Sequence, residues 1–332
     1  MIAILKREWK SYFQNITGWL FIAAVLALYG LYFLAYNLRA GYPYVSYTLS
    51  AISFIMLIAV PILTMRSMAE ERHSRTDQLV LTAPVSLGKM IFGKFLAMVG
   101  VFTVAVAVIA VTPLVLAAFG TVPMGENYVA VLGFWLYGCT CIAVGMLASA
   151  LTESQVIAAV VAFAFLFLGY MMNSITGLIG DHLITKVLGA YDLYTPLQSF
   201  MSGCLDLTGV VYFVSVTALC LFLTCQCVQK RRWSMTTKKL TTGMFSVAMI
   251  VVGFAVAVAV NMVVKEMPSS WTAVDATSTK LYSLTDTTKD YVKNLSQDVT
   301  IYVLSSEKSA DSTLAETLQR YEDLSKHLNV VY

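Results

Sequence analysis

Long apolar runs separated by short polar connections dominate the hydrophobic pattern of this chain. A helix of roughly 20 apolar residues crosses the hydrocarbon core of a bilayer. Stretches of that length, with few or no ionised side chains, lie near residues 18–38, 47–65, 95–119, 128–151, 155–179, 207–228 and 241–264. The pattern therefore predicts seven transmembrane helices.

The residues before the first run predict a short helix in the membrane interface. Its apolar and basic positions recur at helical spacing; they are Ile2, Leu5, Trp9 and Phe13, and Lys6, Arg7 and Lys10. A secretory signal peptide has an apolar region of only about 7 to 15 residues. The first run is longer, so we interpret it as a retained span.

Beyond residue 264 the pattern changes to that of a water-soluble unit. Residues 283–295 are typical of a helix, and residues 298–304 alternate like a strand. Four leucines and Tyr321 between 314 and 328 recur at helical spacing, and residues 328–332 begin another strand. A strand, a crossover helix and a second strand form the unit of a parallel sheet. Such a sheet needs more strands, so we expect this α/β domain to be a truncated one.

The composition agrees with a membrane protein that crosses the bilayer several times. Hydrophobic residues make up 58% of the chain, charged residues only 12%, and the mean hydropathy is +0.74. These values exclude an ordinary soluble domain and give no basis for nucleic-acid binding. The expected fold is an all-α polytopic membrane domain followed by the truncated α/β domain.

The distribution of basic residues predicts the orientation in the membrane. Connections on the side of the N-terminus carry thirteen Lys and Arg residues before the last span, and those on the other side carry only Arg39 and Lys186. Because basic connections stay in the cytoplasm, we expect a cytoplasmic N-terminus and an extracytoplasmic C-terminal domain. The expected location is the bacterial plasma (inner) membrane.

Chemical motifs are few. No phosphate-binding loop of the Gly-x-x-x-x-Gly-Lys-Ser/Thr type occurs in the sequence. The six cysteines and three histidines suggest neither a disulfide framework nor a metal site, and no catalytic residue is predicted. Glu153 lies between two apolar runs, where it either caps the next helix in a tight cytoplasmic turn or has a functional role.

The residues from Met68 to Lys94 form a dense polar insert between the second and third apolar runs. The sequence predicts that Glu70-Glu71-Arg72 extends the second span, that residues 76–81 form a short amphipathic helix, and that Ala83-Pro84-Val85-Ser86 breaks it. A solvated loop that obeys the positive-inside rule is one interpretation. The order of the residues favours a coupling element.

This order resembles the membrane subunits of ATP-binding-cassette (ABC) exporters of the type-2 permease family, most closely the gliding-motility and nitrous-oxide-reductase-maturation type. Arg75 occupies a place often held by glycine, and Asp77 replaces the commoner glutamate. The resemblance implies six spans, a partner ATPase dimer that binds ATP and Mg, no cofactor in this chain and no enzyme activity of its own. The coupling residues that it implies are Glu70, Glu71, Arg72, Thr76, Asp77, Leu79, Val80 and Pro84.

Two further sets of residues are candidates within this reading. The segment before the sixth span resembles the family's Pro, Phe and Gly-x-x-Asp pattern, and we expect an outer lid there with Pro196, Phe200, Gly203 and Asp206. Cys141, Gly145 and Ser149 form a small-residue stripe, which packs helices either within one chain or at the seam with a second permease copy.

The tail carries a second resemblance. Residues 280–289, followed by Val299-Thr-Ile-Tyr-Val303, are similar to the start of the auxiliary exported domain of gliding-type ABC systems. The sequence thus predicts a permease domain over 1–235, a seventh membrane anchor over 236–266 and a partial exported domain over 267–332. The transported cargo stays open.

Two other functions remain alternatives at this point. One is a structural anchor that fixes an exterior domain to a surface or gliding machine without transport. The other is an ATP-independent channel or carrier, which the lack of an intramembrane charge disfavours.

Overall fold

The structure is a computed structural model that describes residues 2–75, 86–179, 189–233, 239–267, 272–277, 286–295, 297–305, 312–322, 324–325 and 327–331. Helices dominate the part before residue 268. They are α1 (Ile2–Gln14), α2 (Ile16–Phe33), α3 (Ser46–Thr64), α4 (Arg66–His73), α5 (Leu87–Ile109), α6 (Thr112–Ala117), α7 (Met124–Leu151), α8 (Gln155–Ile179), α9 (Tyr194–Met201), α10 (Leu207–Trp233) and α11 (Lys239–Lys265). A π-helical segment, Leu34–Arg39, continues α2.

Among the described residues, seven helical stretches are long and apolar enough to cross a membrane. They cover Ile16–Arg39, Ser46–His73, Leu87–Ala117, Met124–Leu151, Gln155–Ile179, Leu207–Lys230 and Ser246–Lys265. The predicted polytopic all-α fold is therefore confirmed. The third stretch begins at Leu87 instead of near residue 95, which places Lys94 inside a helix.

Helix α7 is the central helix of the bundle, because most of its span is buried by its neighbours. Three of its glycines accept side chains from three different helices. A Cβ atom at Gly133 would lie 2.3 Å from Phe200, one at Gly138 would lie 2.2 Å from Phe102, and one at Gly145 would lie 2.3 Å from Thr64. These close approaches fix α9, α5 and α3 around α7.

Helix α11 lies at the edge of the bundle and packs mainly on α10. The amide of Asn261 donates a hydrogen bond to Ser215 Oγ at 2.7 Å, and a Cβ atom at Gly253 would lie 2.9 Å from the ring of Phe222. Valines such as Val247 and Val251 remain exposed on its other side. An exposed apolar face of this kind suits contact with lipid.

Helix α1 packs on α5, with both an apolar and an acidic side chain turned toward the bundle. Ile2 is 69% exposed, whereas the side chain of Glu8 is only 16% exposed. The ring of Trp9 covers Gly100 so closely that a Cβ atom there would lie 1.8 Å from it. Trp9 and Glu8 therefore hold α1 against α5, and the position of α1 in the membrane interface stays a prediction.

At the end of the bundle opposite α1, two buried asparagines organise the connection between the first two spans. Asn127 Oδ1 accepts a hydrogen bond from the N–H of Val45 at 2.7 Å, and its amide donates to the carbonyl of Pro43. The amide of Asn37 donates to the carbonyls of Tyr42 and Tyr44. These bonds provide partners for backbone N–H and C=O groups that would otherwise lack hydrogen bonds near the membrane.

The tail contains the α/β elements that its pattern predicts: α12 (Asp286–Lys293), β3 (Val299–Tyr302), α13 (Ser312–Glu322) and β4 (Leu328–Val331). Strands β3 and β4 pair in parallel, with Val299 opposite Leu328. Two short strands, β1 (Cys204–Asp206) and β2 (Ala273–Asp275), are additional elements that the sequence pattern does not reveal. They pair antiparallel at the end of the bundle opposite α1.

Candidate functional site

A buried lysine forms the centre of an ion cluster at the end of the bundle where α1 lies. The side chain of Lys94 on α5 is 3% exposed, and its Nζ lies 2.6 Å from Glu71 Oε1 and 3.7 Å from Glu8 Oε1. It also donates a hydrogen bond to the carbonyl of Ser67 at 3.0 Å. The guanidinium of Arg7 lies 2.6 Å from Glu8 and 3.6 Å from Glu71. We call Arg7, Glu8, Glu71 and Lys94 the Lys94 cluster.

The Lys94 cluster is electrically balanced, with two cations and two carboxylates drawn from α1, α4 and α5. The hydrogen bond to Glu8 raises the pKa of Arg7 above its ordinary value, so this cation is permanent. A lysine buried to this degree would be strongly unfavourable without its carboxylates. The cluster therefore stabilises one relative arrangement of the three helices.

Two further ion pairs involve α4, one within the helix and one that ties it to a neighbouring turn. Arg66 makes a two-pronged contact with Glu70 at 2.7 and 2.9 Å and also donates to Thr17 Oγ1 on α2 at 3.3 Å. Arg72 lies 2.7 Å from Glu153 in the turn between α7 and α8, and it donates to the carbonyl of Leu151. Glu70 thus pairs within α4, Glu71 pairs with α5, and Arg72 pairs with the turn between α7 and α8.

The N-terminus of α4 is capped by a residue of another helix. The first N–H groups of a helix lack partners within the helix. The backbone N–H groups of Met68 and Ala69 both donate to Ser149 Oγ at 3.1 Å, and the Ser149 hydroxyl donates to the carbonyl of Met65 at 3.0 Å. Ser149 therefore ties the joint between α3 and α4 to the central helix.

The structure places the small-residue stripe inside the chain. Cys141 and Ser149 have no exposed surface, and Gly145 lies against Thr64. Of the two sequence interpretations, this position corresponds to helix packing within one chain, and none of the three residues lies on a surface open to a second copy.

The coupling residues that the sequence indicates divide into two groups. Glu70, Glu71 and Arg72 lie on α4 and take part in the ion pairs described above. The other five lie outside the described residues; they are Thr76, Asp77, Leu79, Val80 and Pro84. The described chain stops at Arg75, after the helix that carries Glu71, and resumes at Ser86, before the helix that carries Lys94.

Arg75 adopts a backbone conformation that favours glycine. Its φ angle is 55°, in the left-handed region where a Cβ atom costs roughly 1–2 kcal/mol. It follows the last turn of α4, and its N–H donates to the carbonyl of Arg72 at 3.2 Å. This position is the usual site of a helix-terminating glycine, which agrees with the place that Arg75 occupies in the resemblance.

We expect Arg75→Gly to raise the free energy of unfolding by up to about 1 kcal/mol. Glycine removes the left-handed strain, while its greater freedom in the unfolded chain cancels about 0.4–1 kcal/mol of that gain. The measurement is thermal unfolding in detergent. Arg75→Ala is the matched control, since it removes the charge and keeps Cβ; an equal gain in both variants would contradict the backbone explanation.

The residues of the expected outer lid lie at the opposite end of the bundle. Phe200 on α9 has no exposed surface and sits against Gly133 and Gly209. Gly203 has a φ angle of 81°, and Asp206 accepts a hydrogen bond from the N–H of Thr208 at 2.9 Å at the start of α10. Pro196 lies within α9. In this structure all four residues shape the entry into the sixth span.

Several residues of the site do not stand out in the sequence. The sequence pattern marks four of them only as ordinary interfacial or positive-inside charges: Arg7, Glu8, Arg66 and Lys94. It marks Glu153 as part of a turn. A usable signal was present at Lys94, which lies inside an apolar stretch that begins at Met90. A charge within such a stretch is a default candidate for function.

The helices and the cluster define the class of protein. The chain is a multi-pass membrane protein whose charged side chains converge at one end of the bundle. The family model described as "ABC-2 family transporter protein" matches residues 37–228, more than half of the chain. The protein belongs to this transporter family.

The tail matches a second family model. Residues 278–332 match a family described as a domain of unknown function, DUF7088. No curated protein and no solved structure matches the chain significantly.

Proposed function

We propose that this chain is the permease subunit of an ABC exporter, which uses ATP hydrolysis by a separate ATPase dimer to drive transport across the membrane. Membership of the ABC-2 transporter family supports the transport part. The sequence carries no phosphate-binding loop of its own, which supports a separate site for ATP and Mg. Two permease copies per exporter are part of the proposal.

The single observation that carries the coupling role is the Lys94 cluster. It holds α4 against α1 and α5, while Arg72 holds α4 to the turn that contains Glu153. Residues 76–85 connect the end of α4 to the start of α5. A force applied to these ten residues therefore acts on the second and third spans together, because separating a buried ion pair costs about 3–5 kcal/mol.

In this proposal the segment around Thr76 and Asp77 contacts a groove of the ATPase. Leu79 and Val80 supply the apolar contact, Asp77 supplies a polar contact or cap, and Pro84 ends the segment. Glu71 and Arg72 keep α4 fixed to the bundle directly, and Glu70 does so through Arg66, which contacts Thr17 on α2. Closure of the ATPase dimer on ATP is thereby passed to the membrane helices.

The proposed orientation places the Lys94 cluster on the cytoplasmic side of a bacterial inner membrane. The positive-inside rule supports it, and the tail strands then lie on the extracytoplasmic side. The division into a permease (1–235), a seventh anchor (236–266) and an exported domain (267–332) is part of the same proposal. The matched ranges of the two family models are compatible with it.

We expect Leu79→Asp to weaken association with the ATPase by about 2 kcal/mol, roughly thirtyfold in dissociation constant, because a charge replaces an apolar contact at the centre of the interface. Asp77→Ala should lower the rate of ATP hydrolysis by the complex. Purification of the chain from its native membrane, followed by binding and ATPase measurements on the co-purified partner, checks both. Thr82→Ala, in the same segment, is the matched control.

Membrane insertion must be equal in all these variants, as judged by yield and elution from a size-exclusion column. If Leu79→Asp and Thr82→Ala bind the ATPase equally well, the assignment of the coupling segment is wrong. If no ATPase accompanies the native chain, the structural-anchor alternative gains the stronger support.

A further inference from the structure

The segment that follows the seventh span returns to the membrane domain. Strand β2 pairs antiparallel with β1, with Cys204 opposite Asp275, Leu205 opposite Val274 and Asp206 opposite Ala273. Strand β1 immediately precedes the sixth span. The chain after α11 is therefore joined to the bundle twice, by the covalent connection at Lys265 and by this two-stranded ribbon.

Two glycines of the membrane domain leave space for β2 and the residues that follow it. A Cβ atom at Gly125, at the start of α7, would lie 2.6 Å from the carbonyl oxygen of Ala276. Gly203 has a φ angle of 81°, and a Cβ atom there would lie 2.8 Å from Glu126 and 3.3 Å from Thr277. Larger side chains at either glycine would displace the strand. Two separate elements of the bundle thus make room for the same short segment.

Hydrogen bonds extend the ribbon beyond its three residue pairs. The N–H of Ala276 donates to the carbonyl of Gly203 at 3.2 Å. Asp275 accepts a hydrogen bond from the N–H of Thr277 at 2.9 Å, and the side chain of Thr277 is buried. These contacts fix the residues on the far side of β2 as well, so the ribbon ends in an ordered turn.

The α/β unit of the tail contacts the same ribbon. The guanidinium of Arg320 on α13 lies 3.8 Å from the Sγ atom of Cys204, and Cys204 has no exposed surface. Cys204 is thus enclosed between the membrane domain and the tail. The outer connection of the permease, the segment after the seventh span and the α/β unit meet at this residue.

We propose that the ribbon is a permanent clamp, by which the exported part of the chain is held on the outer ends of α7 and α10. Strand β1 serves as the acceptor edge, and β2 is added to it in the manner of β-strand addition. The exported part then moves with the outer end of the sixth span. Its role in the transport cycle rests on the proposed function, whereas the clamp itself does not.

Disulfide formation between engineered and native cysteines tests the clamp. Because Ala276 and Gly203 form a hydrogen-bonded pair, Cys204 and Asp275 fall on the next, non-hydrogen-bonded pair, where the Cα atoms are about 4.5 Å apart. This spacing lies within the range of disulfides, about 4.4–6.8 Å. Asp275→Cys should therefore form a disulfide with native Cys204 when intact membranes are treated with tetrathionate as the oxidant.

The controls use the alternation of side chains along a strand. Val274→Cys points to the opposite face of the ribbon, so it should not form a bond with Cys204. Asp275→Ser removes the carboxylate without adding a thiol and reports the effect of losing that side chain. Leu205→Cys with Val274→Cys is a second facing pair on the more exposed side. Mass spectrometry of tryptic peptides identifies the linked residues.

The expected result is a disulfide in both facing pairs and none between Cys204 and Val274→Cys. In the complex with the co-purified ATPase, the oxidised and reduced forms of Asp275→Cys should hydrolyse ATP at the same rate, because a permanent clamp does not open. Absence of a disulfide in both facing pairs would overturn the clamp. Arrest of ATP hydrolysis on oxidation would overturn its permanence.

These outcomes are separate from those that test the proposed function. Disulfide formation needs no ATPase, so a clamp that forms in a chain without any ATPase partner supports the clamp and counts against the transporter assignment. If no disulfide forms in a chain that still binds the ATPase, the clamp is contradicted and the transporter assignment is supported.

Discussion

Lys94→Met is expected to lower the free energy of unfolding by about 3 kcal/mol, the lower end of the range for removing one member of a buried ion pair. Lys94 is 3% exposed and lies 2.6 Å from Glu71, so methionine would leave a carboxylate with little water and without its closest cation. Arg7 remains 3.6 Å from Glu71, which is why we take the lower end. Thermal unfolding in detergent gives the value.

The matched control is Lys89→Met, which removes an exposed lysine five residues earlier on α5. It should change stability by less than about 0.5 kcal/mol. The double variant Lys94→Met with Glu71→Leu should recover much of the loss, since replacing both members of a buried pair is often neutral. Equal unfolding temperatures for Lys94→Met and Lys89→Met would show that the cluster does not stabilise α4.

Lys94→Met also separates stability from coupling. If the cluster passes force between residues 76–85 and the spans, this variant should lower ATP turnover in the complex even at temperatures where it stays folded. Association with the ATPase should be unchanged, because Lys94 is buried behind α4 rather than placed in the proposed contact segment. The comparison with Leu79→Asp, which should lose association, distinguishes the two roles.

Ser149→Ala is expected to lower the free energy of unfolding by about 2 kcal/mol. Its hydroxyl accepts hydrogen bonds from the N–H groups of Met68 and Ala69, and losing a capping side chain costs about 0.5–2 kcal/mol. Buried groups left without a partner cost about 1–3 kcal/mol, which places the value at the upper end of the capping range.

The same unfolding assay measures this change, with Ser174→Ala as the control. Ser174 is an exposed serine on α8, where the substitution removes a hydroxyl at the surface of the bundle. A loss of equal size in both variants would mean that the cap on α4 contributes nothing particular. A combined Ser149→Ala and Lys94→Met variant should lose less than the sum of the two, because both act on α4.

Much of the fold was predictable because the requirement for crossing a bilayer can be read from a short stretch of sequence. Any span needs about 20 apolar residues of helix, so a window along the sequence is enough to find it. The strands β3 and β4 and the helix between them were also predictable, since alternation and helical periodicity are local properties. The N-terminal boundary of the third span was not predictable, because Lys89 and Lys94 interrupt the apolar pattern while the helix continues through them.

The candidate site was predictable only in part. Glu70, Glu71 and Arg72 were found from their order in the chain, but their partners were not. Glu8 and Lys94 are 86 positions apart, and nothing in either local sequence shows that α1 rotates Glu8 toward α5. Strands β1 and β2 have three residues each, which is too short for a periodic signal.

The sequence by itself determined that the protein is polytopic, where its spans lie and that its tail is an α/β unit, because these properties depend on the solvent that each stretch of chain needs. Only the tertiary structure decided which charges are buried together and how the chain beyond the seventh span returns to the bundle. Burying Lys94 is favourable only when Glu71 and Glu8 arrive from other helices, and a three-residue strand is stable only beside its partner. Both depend on distant residues meeting in space.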